Sequence, residues 1–293
     1  MRQVFLTAAA MAALGLAALP AQAARKHAPT TPSAAAPTQA ATDADWRPVD
    51  AENTLVIDTN RGRIIVELLP VTAPATVERV KQLARAHFYD GLTFFRVIDD
   101  FMAQTGDPKN TGVGGSSQPD LKAEFTFRMG RDAGFTAIDR PAGSEIGFIG
   151  ALPITSQPSG MGMLTADGKV TAHGMFCPGV IGMARADDEN SANSQFFLMR
   201  QAHASLDEKY TAFGRVIVGE DVVRSIKTGE PAPEPQDRMV KVQVLADMPA
   251  GQRLKVRVID TKSAYFAGLA KQAVAQQADA FDPCGVEVAG AVG

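Results

Sequence analysis

Phe88-Tyr-Asp-Gly-Leu-Thr-Phe-Phe-Arg-Val-Ile-Asp-Asp-Phe-Met-Ala-Gln-Thr-Gly-Asp107 is the most informative run in the chain. Within it, Leu92-Thr-Phe-Phe-Arg-Val-Ile98 and Phe101-Met-Ala-Gln-Thr105 are short runs rich in aromatic and β-branched residues, and they predict two strands around Asp99-Asp100. One residue breaks the apolar text. Arg96, a permanently charged donor, stands between Phe95 and Val97.

Working upstream, Thr54-Leu-Val-Ile-Asp-Thr59 and Gly62-Arg-Ile-Ile-Val-Glu-Leu-Leu69 flank Asn60-Arg61-Gly62, a hairpin signal. Between them and the central stretch, residues 72–87 carry Val77, Val80, Leu83 and Ala84 at helical spacing, with Thr72 as a candidate cap and Pro74 near the first turn. Downstream, residues 180–184, 194–199, 212–217 and 240–245 read as further short strands, with a short helix around 221–226. Residues 129–172 are Gly- and Pro-punctuated with no sustained period, which predicts a long loop inserted in the domain. After Pro249, a strand at 254–259 and a helix at about 262–278 form a C-terminal extension. Many short strands with two or so helices predict a mainly β chain, an antiparallel barrel or sandwich.

The start of the chain predicts a compartment. A basic Met1-Arg2-Gln3, an apolar run from Val4 to Leu19, Pro20 and then Ala21-Gln22-Ala23 have the layout of a secretory signal peptide cut after Ala23. Residues 24–45 are dominated by Ala, Thr, Pro and Ser, a composition too poor in large apolar groups to form a core, and are expected to be a disordered tether. The expected organisation is a signal peptide over 1–23, the tether over 24–45, one domain over 46–248 and the extension over 249–293. No second run is long enough to span a bilayer, so no integral span remains after cleavage. A net charge of −3 leaves no basic footprint for nucleic acid. Cys177 and Cys284, in an exported chain, are compatible either with a bridge or with two free thiols, and their spacing fits neither a CxxC motif nor a zinc knuckle.

The central stretch, with Thr111-Gly-Val-Gly-Gly115 after it, resembles the cyclophilin family of peptidyl-prolyl cis/trans isomerases, whose pattern is Y-x-G-x-x-F-x-R, then F-M-x-Q-x-G-D and G-x-G-G. Gly179-Val-Ile-Gly-Met-Ala-Arg-Ala186, Ser194-Gln-Phe-Phe197 and Phe213-Gly214 continue the resemblance in the same order, over about residues 53–245. The resemblance implies a closed antiparallel β-barrel with capping helices and an enzyme that rotates X-Pro bonds. It also implies no cofactor and no metal, with proline-containing polypeptides as partners. Arg96 corresponds to the family's catalytic arginine and Gln104 to the residue that holds it and the substrate backbone. Phe101, Met102, Phe197 and Leu206 resemble the walls of the proline pocket, Tyr210 its edge, and Ala186 and Gln195 the neighbouring subsite. Taken singly, the apolar residues would be ordinary core and Arg96 an ordinary surface charge; their joint order points to the site. The chemistry suits these types, because a twisted X-Pro amide needs an apolar seat for the ring and a donor for the nitrogen that regains its lone pair.

Two departures bear on the pocket. Ser205 precedes Leu206-Asp207 where many eukaryotic members have Trp, which predicts weak cyclosporin binding. Tyr210 replaces a common His, which predicts altered side-chain preference with turnover retained. His27, His87, His173 and His203 have no metal-ligand spacing, Asp187-Asp-Glu189 reads as a solvated loop, and no G-x-S-x-G elbow is present. The expectation is a monomeric, exported isomerase of the bacterial periplasm that assists folding. The alternatives are a non-catalytic proline-recognising holdase and a lipocalin-like ligand barrel.

Overall fold

Among the described residues, short strands alternate with three α-helices and several 3-10 turns. The computed structural model describes residues 40–277 and 281–293. The expected signal peptide with its cut after Ala23, His27 and most of the expected tether lie outside the described residues. In chain order the elements are β1 (Trp46–Pro48), β2 (Thr54–Thr59), β3 (Gly62–Leu68), α1 (Pro74–Arg85), β4 (Arg96–Val97) and β5 (Met102–Thr105). There follow β6 (Phe127–Met129), β7 (Phe135–Asp139), β8 (Glu145–Ile149), β9 (Leu152–Ser156) and β10 (Val170–Gly174). The chain continues with β11 (Val180–Met183), β12 (Phe196–Met199), β13 (Ala212–Val218), α2 (Glu220–Ser225), β14 (Met239–Val244), β15 (Val256–Ile259), α3 (Ala264–Gln276) and β16 (Gly290–Val292).

Eight strands form the principal antiparallel sheet in the order β14-β2-β3-β13-β11-β12-β5-β4. Its inner face carries Leu55, Ile57, Ile64, Val66, Phe196, Leu198 and Phe213, and α1 closes one end with Val77, Val80, Leu83 and Ala84. The expected closed barrel is corrected to a half-barrel, because β14 and β4 share no ladder. The cause lies in β4, only two residues long, and in the Pro231-Ala-Pro-Glu-Pro235 stretch beside it, whose prolines have no N–H to donate. Isolated contacts span the seam, including Thr93 opposite Arg238 and Val97 opposite Gly229.

Thr72 does not cap α1. Its hydroxyl donates to the carbonyls of Leu69 and Ala212, and the helix N-terminus instead receives the Glu124 carboxylate, which accepts from the amides of Ala75 and Thr76 at 3.0 and 2.9 Å. A carboxylate there satisfies orphan amides and meets the positive end of the helix dipole.

The expected long loop over 129–172 is also corrected. This region folds into a five-stranded antiparallel sheet in the order β6-β10-β9-β8-β7. Its strands have at most five residues, and β8 and β9 are buried on nearly every residue, so no period-two alternation is visible. Pro153 inside β9 further masks the strand, since proline argues against a central position. Its carbonyl still serves the backbone, accepting from Met175 N–H at 2.9 Å.

The extension's strand and helix are present, and both are built into the molecule. β15 lies between β1 and β16 in a three-stranded sheet, and Phe266 of α3 meets Phe148 of β8 edge to face at 5.3 Å. Residues 43–45, at the end of the expected tether, form a turn in which Thr42 donates from its amide and hydroxyl to Asp45. A disulfide joins buried Cys177 to Cys284 across 107 residues, their Cα atoms 4.9 Å apart.

Candidate active site

The β4–β5 hairpin places Arg96 directly opposite Gln104. On the next strand Phe197 is opposite Gln104, and on the next Gly182 is opposite Phe197. Directly opposed residues share a face of an antiparallel sheet, so this row runs across its outer side while neighbours such as Phe196 point into the core. Arg96 is half-buried, and its Nη1 donates to Gln104 Oε1 at 3.3 Å. Gln104 Nε2 donates to Gln195 Oε1 at 2.9 Å, and Gln195 Nε2 in turn donates to the carbonyls of Gly112 and Gly114 at 3.0 and 2.7 Å. A chain of side-chain amides therefore ties the guanidinium to a glycine loop.

Beside the row is an apolar cluster. Met102, Phe197 and Leu206 are buried in it, and Phe101, Tyr210 and Ala184 are partly buried against it. Phe197 and Tyr210 meet at 6.0 Å with rings near perpendicular. Phe101 rests on the His203 ring at 4.6 Å; that ring is fixed by Asp100 O at 2.8 Å from Nε2. The Arg185 guanidinium covers the Tyr210 ring at 4.6 Å and donates through Nε to Lys209 O. Ala186 is exposed and, with Gln104 and Gln195, lines an adjoining cavity of about 400 Å³. The structure thus packs Phe101, Met102, Phe197, Leu206 and Tyr210 in one cluster beside the Arg96–Gln104 pair and places Ala186 and Gln195 around the next hollow.

Sequence reasoning assigned no role to three supporting residues. Asp107, at the end of the opening stretch, is buried and accepts from the amides of Lys109, Thr111, Gly112 and Gly114, which shapes the loop that Gln195 holds. Burial works to raise this carboxyl, but the amide bonds outweigh it and keep Asp107 below the usual carboxylate range. Asn193 extends the same scaffold through Ser116, donating nothing there but accepting from its amide and hydroxyl at Oδ1. Glu230 accepts from Arg96 Nε. Its distance in sequence, 134 residues, leaves no local signal.

Residues 54–244 match the family described as cyclophilin type peptidyl-prolyl cis-trans isomerase/CLD. The chain belongs to that family. A Brucella suis protein named "Probable peptidyl-prolyl cis-trans isomerase" is 33% identical over 213 residues, covering 68% of this chain and 85% of its own. The crystal structure of cyclophilin AquaCyp293 from Hirschia baltica has a TM-score of 0.77 at 31% identity, covering 84% of this chain and 93% of that one. The reaction of a cyclophilin-type isomerase is rotation about X-Pro bonds, where the two isomers differ by about 0.5–1 kcal/mol but exchange only in tens to hundreds of seconds.

Gly182 sets the depth of this cyclophilin's apolar cluster. A Cβ there would stand 2.6 Å from both Phe176 Cε1 and Phe197 Cζ. Gly182→Ala is therefore expected to push the Phe197 ring outward, destabilise the fold by about 1–3 kcal/mol and weaken X-Pro peptide binding in a titration. Unchanged affinity and stability would show that the Phe197 ring is not held from behind.

Proposed function

We propose that this cyclophilin-type isomerase uses Arg96 as its catalytic donor and acts on X-Pro bonds of exported proteins in the bacterial periplasm. The observation that carries the reading is the row Arg96–Gln104–Phe197, in which one permanent cation borders an apolar cluster and is tied to an amide network. In this reading the proline ring sits among Phe101, Met102, Phe197 and Leu206, with Tyr210 at the edge. Gln104 holds the peptide backbone and Arg96 together, while Ala186 and Gln195 receive the residues before proline. Planar amides resist rotation by about 18–20 kcal/mol through resonance. As the bond twists, the prolyl nitrogen regains its lone pair, and a guanidinium N–H aimed at it binds the twisted amide more strongly than the planar one. No covalent intermediate is required.

Export is supported by the basic start, apolar run and Ala21-Gln22-Ala23 of the sequence, and no helix among the described residues is long and apolar enough to cross a membrane. The test is in two parts. Cell fractionation with N-terminal sequencing is expected to find the chain in the periplasm, starting at Ala24. The purified chain is expected to accelerate the proline-limited refolding phase of an exported protein. An uncleaved cytoplasmic chain would end the export reading, and an unchanged refolding phase would end the folding role. Client holding without turnover is a second reading, favoured by the exposed Met161, Met163 and Leu164 on the helical turn that joins β9 to β10. It predicts that Arg96→Ala still suppresses client aggregation.

A further inference from the structure

Glu230 reaches Arg96 on a braced loop. Val97 and Gly229 exchange both backbone hydrogen bonds, at 2.9 and 2.7 Å, and Ala232 N–H donates to Phe95 O at 2.8 Å. These three bonds fall on the two residues flanking Arg96, so the loop is in register with the strand at the catalytic position. Gly229 lets the loop turn tightly on itself: a Cβ there would stand 2.6 Å from Pro231 O and 2.8 Å from Pro233 Cδ. The base of the loop is closed by Asp237, almost fully buried, which accepts from Lys227 N–H, Asn60 Nδ2 and Arg61 Nε at 2.9, 2.7 and 2.8 Å. Thr93 Oγ1 donates to Gln236 Oε1 at 2.6 Å.

The pair does little for stability. The side chains of Arg96 and Glu230 are 34% and 57% exposed, and pairs this exposed contribute about 0–1 kcal/mol. Its effect is on orientation. A guanidinium has five N–H bonds; here Nε–H is held by Glu230 and one Nη1–H by Gln104. Two anchors on different nitrogens fix the plane of the group, whereas Gln104 alone would leave it free to swing. The remaining N–H bonds are left for the substrate.

We infer that Glu230 is a positioning residue for isomerisation, holding the Arg96 guanidinium in its donating orientation through Nε–H. The inference rests on the reading of Arg96 as catalytic donor. The opposite effect of the same contact is also physical, because a carboxylate offsets part of the charge that Arg96 presents to the amide. The sign of the mutational effect decides between the two.

The test measures kcat and KM separately, by NMR line shapes of an X-Pro peptide, for wild type, Glu230→Ala, Glu230→Gln, Glu234→Gln and Arg96→Ala. Glu234 lies on the same loop and does not contact Arg96, so Glu234→Gln controls for loss of loop charge. Glu230→Ala is expected to lower kcat by about 10- to 100-fold, the scale of a misplaced catalytic group, with KM within about twofold. Glu230→Gln, which keeps an acceptor, is expected to recover most of the loss, and Glu234→Gln to match wild type. The ¹⁵N-detected Arg96 Nε–H signal is expected to exchange slowly in wild type and Glu230→Gln and quickly in Glu230→Ala. Wild-type or higher kcat in Glu230→Ala, with Arg96→Ala inactive, overturns the positioning role alone. An Arg96→Ala variant as active as wild type overturns the donor reading, and the positioning role with it.

Discussion

Arg96→Ala is expected to lower kcat/KM for a short X-Pro peptide by at least about 100-fold, the loss typical of removing one preorganised donor from a site of charge development. The fall should be in kcat, with peptide affinity nearly unchanged, because the apolar cluster that would seat the ring stays intact. Arg96 is not a structural cation whose loss strands a buried charge. Its carboxylate partner Glu230 is 57% exposed, and its other partner, Gln104, retains Gln195. The fold should therefore survive, and circular dichroism and the unfolding midpoint should match wild type. Arg96→Lys is expected to recover little, since an ammonium cannot meet Glu230 and Gln104 with a planar fork and still face the substrate. A kcat for Arg96→Lys close to wild type would show that charge alone suffices and that the two anchors are incidental.

Loss of the Cys177–Cys284 disulfide has the second large expected effect. The bridge closes a segment of 107 residues, and chain-entropy reasoning assigns about 4.7 kcal/mol to a loop near that length, with about 2–5 kcal/mol measured on removing native bridges. Cys177 follows Phe176, whose ring packs 5.8 Å from that of Phe197, so the bridge ties the C-terminal segment to the apolar cluster beside Arg96. Phe281, Val286 and Val288 remain buried in a cluster with Phe266 and Val258 without any help from the bridge, which should preserve a native ground state. Urea unfolding with and without dithiothreitol, and of the double Cys→Ser variant, is expected to show a lowered midpoint and a steeper slope, because the unlinked unfolded chain is more open. Equal midpoints would mean that the link contributes nothing beyond contacts already made.

These effects separate what a reader of the chain can see from what only folding brings together. The roles of Arg96 and Gln104 are legible only through the family resemblance; that the two face each other follows from their places on either side of a short turn. Phe101, Met102 and Phe197 followed from motifs in a shared order. The inserted sheet was hidden, since strands as short as Phe127–Met129 and a proline within Leu152–Ser156 erase the alternation that reveals a strand. The α1 cap was misassigned to Thr72 because a neighbouring hydroxyl is the local signal, whereas Glu124 comes from about 50 residues away. Glu230 has the same character: its role depends on a proline-rich loop finding β4. The cysteines leave bridge and free thiols both open in the sequence, for only proximity in space decides pairing. The half-barrel seam depends in the same way on where Pro231, Pro233 and Pro235 come to lie.

Catalysis by Arg96 is tested by two-dimensional exchange NMR on an Ala-Pro peptide with a substoichiometric amount of this protein. Cross-peaks between the cis and trans resonances are expected at mixing times far below the tens of seconds of spontaneous exchange, present with wild type and absent with Arg96→Ala. Wild-type protein that is folded and broadens the peptide resonances, yet yields no cis–trans cross-peaks, would contradict it, leaving a site that recognises proline without turning the bond.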